Sequence, residues 1–508
     1  MPTYLSPGVY VEELESGSRP IEGVGTAVAA FVGLAERGPF NQPTLVTNWS
    51  QYTQTFGEFV EGAFLSHAVY GYFQNGGGAC YVVRIGSGPE RAAVAQLGTG
   101  GEAPLSAYRI QALAAGPEGN GITVEVADSE VAGAEEGAFK LVVKANGSVA
   151  ETFDPVSPKR GKTNVVTVVN AQSQLIRIEE TAKGAIESVA RGSVSLSGGG
   201  VEAPSRLNAG DYVGDPASRS GVGGLEAVDE VTMVCVPDLM SAYQKGLIDL
   251  EGVKAVQLGM ISHCELMGDR MAILDAPPGL NAQEVKDWRV NLAGYDSKYA
   301  TLYWPWIKVF DPATGTNIFA PPSGHVAGIW GRNDDTRGVH KAPANEVVRG
   351  AIDIELNITK NEHDLLNPVG INVIRAFPGR GIRVWGARTL SSDPAWRYIN
   401  VRRLFNYLEE SILGGTDWVV FEPNDRALWA KIRRTIAAFL VNEWRKGALF
   451  GSTPNEAFFV KCDDETNPAE GIDAGQVVCE IGVAPVKPAE FVVFRLSQFS
   501  GGTSLVSE

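Results

Sequence analysis

TAVAAFVGLAERGPFNQPTLVTNWSQYTQTFG (26–57), followed by GGACYVVRI (77–85), is the stretch that decides the fold. Thr26–Gly33 reads as a strand of small residues and Gly38-Pro39 as a turn. Ser50–Phe56 reads as a short helix, Ala63–Gln74 as a longer one, and Cys80–Ile85 as a second strand. Strand, helix and strand joined by short links make an α/β pattern. The rhythm returns at Val231–Pro237, a strand, and continues with a helix over Gln244–Met267 and a strand over Arg270–Asp275. A helix over Asn281–Leu292 and a strand over Tyr299–Trp306 follow. Helices of this length between strands are crossover connections, which predicts a mainly parallel sheet.

Between these halves the texture changes. From about Ser87 to Gly214 Gly, Ala, Val, Thr and Ser dominate, and tryptophan is absent. Short alternating runs appear at Ile122–Val126, Phe139–Val143, Val165–Val169 and Ser193–Ser197, separated by turn signals such as Asn146-Gly147. This predicts a β-rich module inserted into the first domain and exposed on its outside.

Both ends read as short extended runs outside the body. Tyr4–Glu13 opens on Pro7-Gly8, and Phe491–Leu496 follows Pro485 and Pro488. Proline keeps such segments out of helices. The expected organisation is an N-terminal arm (1–20), a split α/β core domain (21–86 and 215–376) and an inserted β-rich outer domain (87–214). A C-terminal α/β domain (377–484) and a C-terminal arm (485–508) complete it. Apolar side chains on an arm need a partner surface; if that surface belongs to a neighbouring copy, the protein is a polymer subunit and Val9, Tyr10, Val11, Phe491, Val492, Phe494 and Leu496 are the arm residues that contact it.

Bulk properties narrow the function. At 508 residues the chain exceeds one small core. A net charge of −16 with no basic tail argues against direct nucleic-acid binding. The Val24–Ala35 run is too short and too rich in Gly and Ala to span a bilayer, and the N-terminus lacks the order of a secretory signal. Assembly in the cytoplasm is the simplest reading. The five scattered cysteines contain no CxxC; structural disulfides are not expected, and Cys462–Cys479 is the single pair to check.

Catalytic signals are thin. Asp238 and Asp275 end two predicted parallel strands, where α/β enzymes hold metals or nucleotides; the plain reading is a capping or turn aspartate. The glycine tracts 76–78 and 198–200 lack a following Lys-Ser/Thr, no GxSxG elbow occurs, and the five histidines show no ligand spacing. A metal-dependent hydrolase using Asp238, Asp275 and His263 is the enzymatic alternative; the expectation is that the chain is not an enzyme and takes no cofactor.

Amphipathic helices say more. In Trp396–Ile412 an apolar face of Val401, Leu404, Phe405, Leu408 and Ile412 leaves Arg402, Arg403 and Glu409-Glu410 largely off it. In Asp425–Leu449 the stripe is Leu428, Trp429, Ile432, Ile436, Phe439, Leu440 and Trp444, with Lys431, Arg434 and Arg445 opposite and Glu443 in conflict on the apolar side. A basic stripe on so acidic a chain suits an acidic partner; a solvated helix face is the alternative. In PPSGHVAGIWGRNDDTRGVHKAPAN (321–345) a short helix through Val326–Trp330 runs into a charged loop. Arg332, Asp334, Asp335 and Arg337 there are candidates for an inter-subunit contact or a catalytic loop.

Six segments in order resemble the tail sheath family of contractile phages and contractile injection systems. They are YLSPGVYVEE (4–13), TAVAAFVGLAERGPFNQPTLVTNWSQYTQTFG (26–57), GGACYVVRI (77–85), YWPWIKVFDP (303–312), PPSGHVAGIWGRNDDTRGVHKAPAN (321–345) and GIRVWGARTLSSDPAWRYINVRRLFNYLEESI (381–412). The resemblance implies a helical homopolymer of stacked hexameric rings around an inner tube protein, with baseplate and cap proteins as further partners. It implies arms that pair with strands of neighbouring subunits, and contraction that drives the tube forward. It also implies that a C-terminal helix touches the inner tube, for which Lys431, Arg434 and Arg445 are the candidates by role. A passive, non-contractile tube is the competing structural reading. Phage, extracellular particle and cytoplasmic particle all remain open as final site.

Overall fold

The computed structural model describes residues 20–86, 90–99, 106–135, 137–182, 186–201 and 207–495. A nine-stranded sheet organises the described residues. Its order from one edge is Glu346–Val347, Gly381–Val384, Ile371–Phe377, Ala300–Trp304, Met271–Asp275, Met233–Cys235, Val28–Gly33, Ala79–Arg84 and Thr44–Val46. The strands from Ile371–Phe377 through to Ala79–Arg84 are parallel, and antiparallel strands close both edges. Strands such as Met271–Asp275 and Ala300–Trp304 are buried along their whole length. That is why they read as continuous apolar runs rather than alternations.

Helices Leu65–Asn75 and Ser323–Arg337 cross closely on this sheet. The crossing depends on Gly324 and Gly328. A Cβ at Gly324 would lie 2.4 Å from Ala68 Cα, and one at Gly328 would lie 2.3 Å from Tyr72 O. Ser323–Arg337 departs from expectation. The charged stretch Arg332–Arg337 is the second half of the helix rather than a loop, and the helix stops only at Gly338, with φ of 88°. The single helix expected over Gln244–Met267 is two, Asp238–Gln244 and Leu250–Met267. Gly246 turns the chain at positive φ, and Asp249 caps the second helix by accepting from Gly252 N–H at 2.8 Å.

The inserted module is two four-stranded antiparallel sheets. One holds Gly192–Ser195, Ile122–Asp128, Phe139–Ala145 and Ser148–Val156; the other holds Gly200–Val201, Glu90–Gly98, Ser106–Ala115 and Ile176–Glu180. Both contribute to one core, with Val124, Leu141 and Phe153 meeting Ile110 and Ile178. Val165–Gln172 is a helix, not the strand its alternation suggested. Asn164 caps it by accepting from Thr167 N–H at 3.2 Å, and Val165 and Val169, one turn apart, are buried in the module's core.

The C-terminal unit is built on helices Ile399–Thr416 and Arg426–Arg445 and the two-stranded hairpin Phe458–Lys461/Glu480–Val483. Its start differs from the 376/377 boundary expected from sequence, because Ile371–Phe377 and Gly381–Val384 pair with each other inside the central sheet. The predicted stripe Leu428, Trp429, Ile432, Ile436, Phe439 and Leu440 forms its core.

Candidate assembly surfaces

Helix Ile399–Thr416 is the beam to which the first described residues and Glu490 are tied. At its C-terminal end Val24 N–H donates to Ser411 Oγ at 3.1 Å, and Ile21 joins the C-terminal core. At its N-terminal end Tyr398 Oη donates to Glu490 Oε2 at 3.2 Å. The helix has 18 residues, about 27 Å of length, so Val24 and Glu490 are held toward opposite ends of one rod.

Glu490 is a clamp. Arg388 donates through Nε to Oε1 at 2.9 Å and through Nη2 to Oε2 at 2.6 Å, and Asn367 Nδ2 donates to Oε1 at 2.8 Å. Burial pushes the Glu490 carboxyl up, but Arg388, Asn367 and Tyr398 outweigh it and hold the group below its ordinary value. Immediately beyond the clamp Phe491, Val492, Val493 and Phe494 are 74%, 69%, 77% and 84% exposed and belong to no strand. Burying side chains of this size is worth about 1.5–3 kcal/mol each. Val9, Tyr10, Val11 and Leu496 lie outside the described residues.

The hairpin from which the chain runs toward that clamp is short. Two strands alone are marginal in water, and Phe459 and Ile481 on them are exposed. A sheet edge of this kind is a template for another strand.

The other sequence-predicted residues divide. Arg403 and Asp334 meet in a buried bidentate pair, Nη1 to Oδ1 at 2.9 Å and Nη2 to Oδ2 at 2.6 Å. Thr26 Oγ1 also donates to Asp334 Oδ2 at 2.6 Å, Arg403 reaches Thr26 O at 2.9 Å, and the guanidinium lies 4.6 Å from the Trp330 ring centroid. Arg403 was expected off the apolar face; it is buried because this pair joins the two units. Arg402 is buried too, its guanidinium 4.5 Å from the Trp396 ring centroid and bonded to Asn406 at 2.7 Å. Arg332 donates to Asn75 O and Val347 O. Arg332 and Asp334 are thus engaged within the chain, while Asp335 and Arg337 stay exposed on the last turn of their helix.

On helix Arg426–Arg445, Arg434 and Arg445 are exposed and Lys431 is half-buried, its ammonium 4.1 Å from the Trp418 ring centroid. Arg434 and Arg445 sit eleven residues apart, on one azimuth of the helix. Glu443 resolves the conflict noted in sequence: it is buried and accepts from Tyr407 Oη at 3.2 Å and Lys446 Nζ at 2.7 Å. Just before this helix Phe421 stands fully exposed beside Val420.

Asp238 and Asp275 do structural work. Asp238 accepts from Leu34 N–H at 2.6 Å and from Phe64 N–H. Asp275 accepts from Ser323 N–H at 3.0 Å and Ser323 Oγ at 2.6 Å. Burial raises the two carboxyls to about 6 and about 7. His263 lies 3.4 Å from Arg270, and burial, then that charge, pushes its imidazole down to about 4. Among the described residues no three His, Cys, Asp or Glu side chains are grouped to hold a metal, and no helix is long and apolar enough to cross a membrane.

Two family models match the chain. The phage tail sheath protein central domain covers residues 222–390, and the phage tail sheath C-terminal domain covers 391–499. The tail sheath protein of Burkholderia phage BcepMu is 24% identical over 96% of this chain and 95% of its own length. That of Vibrio phage KVP40 is 26% identical over 70% of this chain, which spans about half (54%) of the phage protein. The helical sheath of the anti-feeding prophage in its contracted state superimposes with a TM-score of 0.60 and 25% identity, covering 98% of this chain and all of that one (100%).

Proposed function

The chain belongs to the phage tail sheath family, and from that membership we propose that it is a contractile sheath subunit. It polymerises with copies of itself as stacked hexameric rings around an inner tube, associates with a baseplate and a cap, and shortens to drive the tube through a target envelope. The observation that carries this reading is the C-terminal arm: anchored at Glu490, then presenting Phe491–Phe494 to solvent. An arm that adds a strand to a neighbour's hairpin gains main-chain hydrogen bonds and side-chain pockets. Each bond nets about 0.5–1.5 kcal/mol, against an ordering cost of about 1–2 kcal/mol per residue. One arm is marginal, and a lattice of them is durable. The hairpin Phe458–Lys461/Glu480–Val483 is the docking edge this reading favours. Rigid bodies can then rotate while the links persist.

Arg434 and Arg445, with Lys431 at their margin, are the proposed contact to an acidic inner tube. Asp335 and Arg337 are proposed to meet a neighbouring subunit. Deleting Met1–Ser18, or truncating after Glu490, is expected to leave a folded, soluble monomer that builds no tubes by electron microscopy. Tubes of normal length from either truncation would defeat the strand-exchange reading. Reversing Lys431, Arg434 and Arg445 to Glu is expected to release the inner tube at low salt with sheath formation intact; undiminished copurification would reduce the stripe to plain surface.

A further inference from the structure

Cys462 and Cys479 stand at the mouth of the same hairpin. The register pairs Phe458 with Val483, Phe459 with Gly482, Val460 with Ile481 and Lys461 with Glu480, so one further step sets Cys462 opposite Cys479. Ala484 N–H donates to Ala457 O at 2.8 Å. Hydrogen-bonded and non-hydrogen-bonded pairs alternate along an antiparallel ladder, which makes Cys462/Cys479 a non-hydrogen-bonded pair. In agreement, Cys462 O turns outward to accept from Arg433 Nη1. At such positions opposite Cα atoms lie about 4.5 Å apart, inside the range of roughly 4.4–6.8 Å that a disulfide spans. Both thiols are free, and the two sulfurs lie close enough to shift each other's titration. The ladder ends here because the Asn467 side chain takes the next partner, receiving from Val478 N–H at 2.7 Å and donating to Val478 O at 3.0 Å.

We infer that Cys462 and Cys479 form a reversible redox pair, a dithiol in reducing medium that closes to a disulfide when a small-molecule disulfide is present. Cys479 is half-buried and Cys462 fully buried, so Cys479 is the thiol that meets the oxidant. Having lost its proton to buffer, it attacks one sulfur of oxidised glutathione; the glutathione S–S bond breaks, and one glutathione leaves and takes up a proton. Cys462, deprotonated in turn, attacks Cys479 Sγ, and the second glutathione leaves as a thiol. Two protein thiols are oxidised and one glutathione disulfide is reduced to two thiols. Burial, and then the neighbouring sulfur, pushes the Cys479 thiol up to about 12, so closure speeds up with pH. The bond would tie off the segment Asp463–Val478 and lock the register of the hairpin that feeds the C-terminal arm. Cys80, Cys235 and Cys264 are wholly buried in the central core and stand apart from this exchange.

The full chain is incubated with oxidised glutathione at pH 8, quenched with acid, unfolded and alkylated with iodoacetamide. Three of the five cysteines are expected to alkylate, with Cys462 and Cys479 recovered in one linked peptide that dithiothreitol separates. Cys479→Ser is expected to leave all its remaining cysteines alkylatable. Five alkylated cysteines in the unsubstituted chain, glutathione retained on Cys479 without closure, or a bond between two other cysteines would overturn the inference. None of these outcomes depends on whether the chain builds tubes.

Discussion

The outer sandwich and the C-terminal unit are both attached to the central sheet, but by different physics. The sandwich closes on itself: both of its sheets face one private core, from Ala93 to Leu196, separate from the core of the central sheet. The C-terminal unit does not close. Its first helix places Ile399 in the central core and Leu404 in its own. Arg403 crosses to Asp334, and Val24 and Glu490 are pinned to opposite ends of that helix. The family models cover 222–499 and pass over the sandwich. That range takes in the C-terminal unit and six strands of the central sheet, and leaves outside it the sandwich and three further sheet strands, Val28–Gly33, Thr44–Val46 and Ala79–Arg84.

The strongest test of this contrast is Arg403→Ala. It leaves Asp334 buried without its partner, and breaking a buried pair costs about 3–5 kcal/mol. All ten tryptophans lie outside 87–214, so tryptophan fluorescence in a denaturant titration reads the central and C-terminal units alone. It is expected to shift by that amount, with amide exchange in the sandwich unchanged. A matching loss of protection in the sandwich would mean that the two regions are coupled after all.

Glu490→Gln is expected to do less, a local loss of about 1–3 kcal/mol read as faster amide exchange over Val486–Val492. The carboxyl is held below its ordinary value, so the clamp has full strength at neutral pH, begins to weaken as pH falls into the usual carboxylate range near pH ~4, and is lost only below that range, where the lowered group itself takes up a proton. The variant is expected to flatten that pH dependence. If exchange at the clamp is insensitive to acid in the unsubstituted chain, Glu490 is not what holds the arm.

Asn164→Ala should have the smallest effect, about 0.5–2 kcal/mol for a lost cap, confined to the helix Val165–Gln172. The tryptophan transition should not move. A shift there would again break the separation between the sandwich and the rest.

Much of the alternation was legible because burial on both faces leaves continuous apolar strands, as at Met271–Asp275, and because caps such as Asn281 mark helix starts. Val165–Val169 misled because Val at i and i+4 fits one helix face as well as a strand, and the cap at Asn164 was the overlooked signal. Arg332–Arg337 misled because charge density was read as loop. Arg388 and Glu490 carried no local signal beyond an acid set between Pro488 and an apolar run.

The chain's own order of residues settles the α/β rhythm, the inserted β-rich module, the apolar stripe of Arg426–Arg445 and the family. Those follow from local propensity and periodicity, which act within a few turns or strands. Only the tertiary structure decides that Arg403 and Arg402 are buried rather than solvated, that Asp334 belongs to a lock within one subunit, and that Glu490 is the point where the arm leaves the body. Charges separated by tens or hundreds of residues become partners only when folding removes water from between them, and no sequence period records which of them will meet.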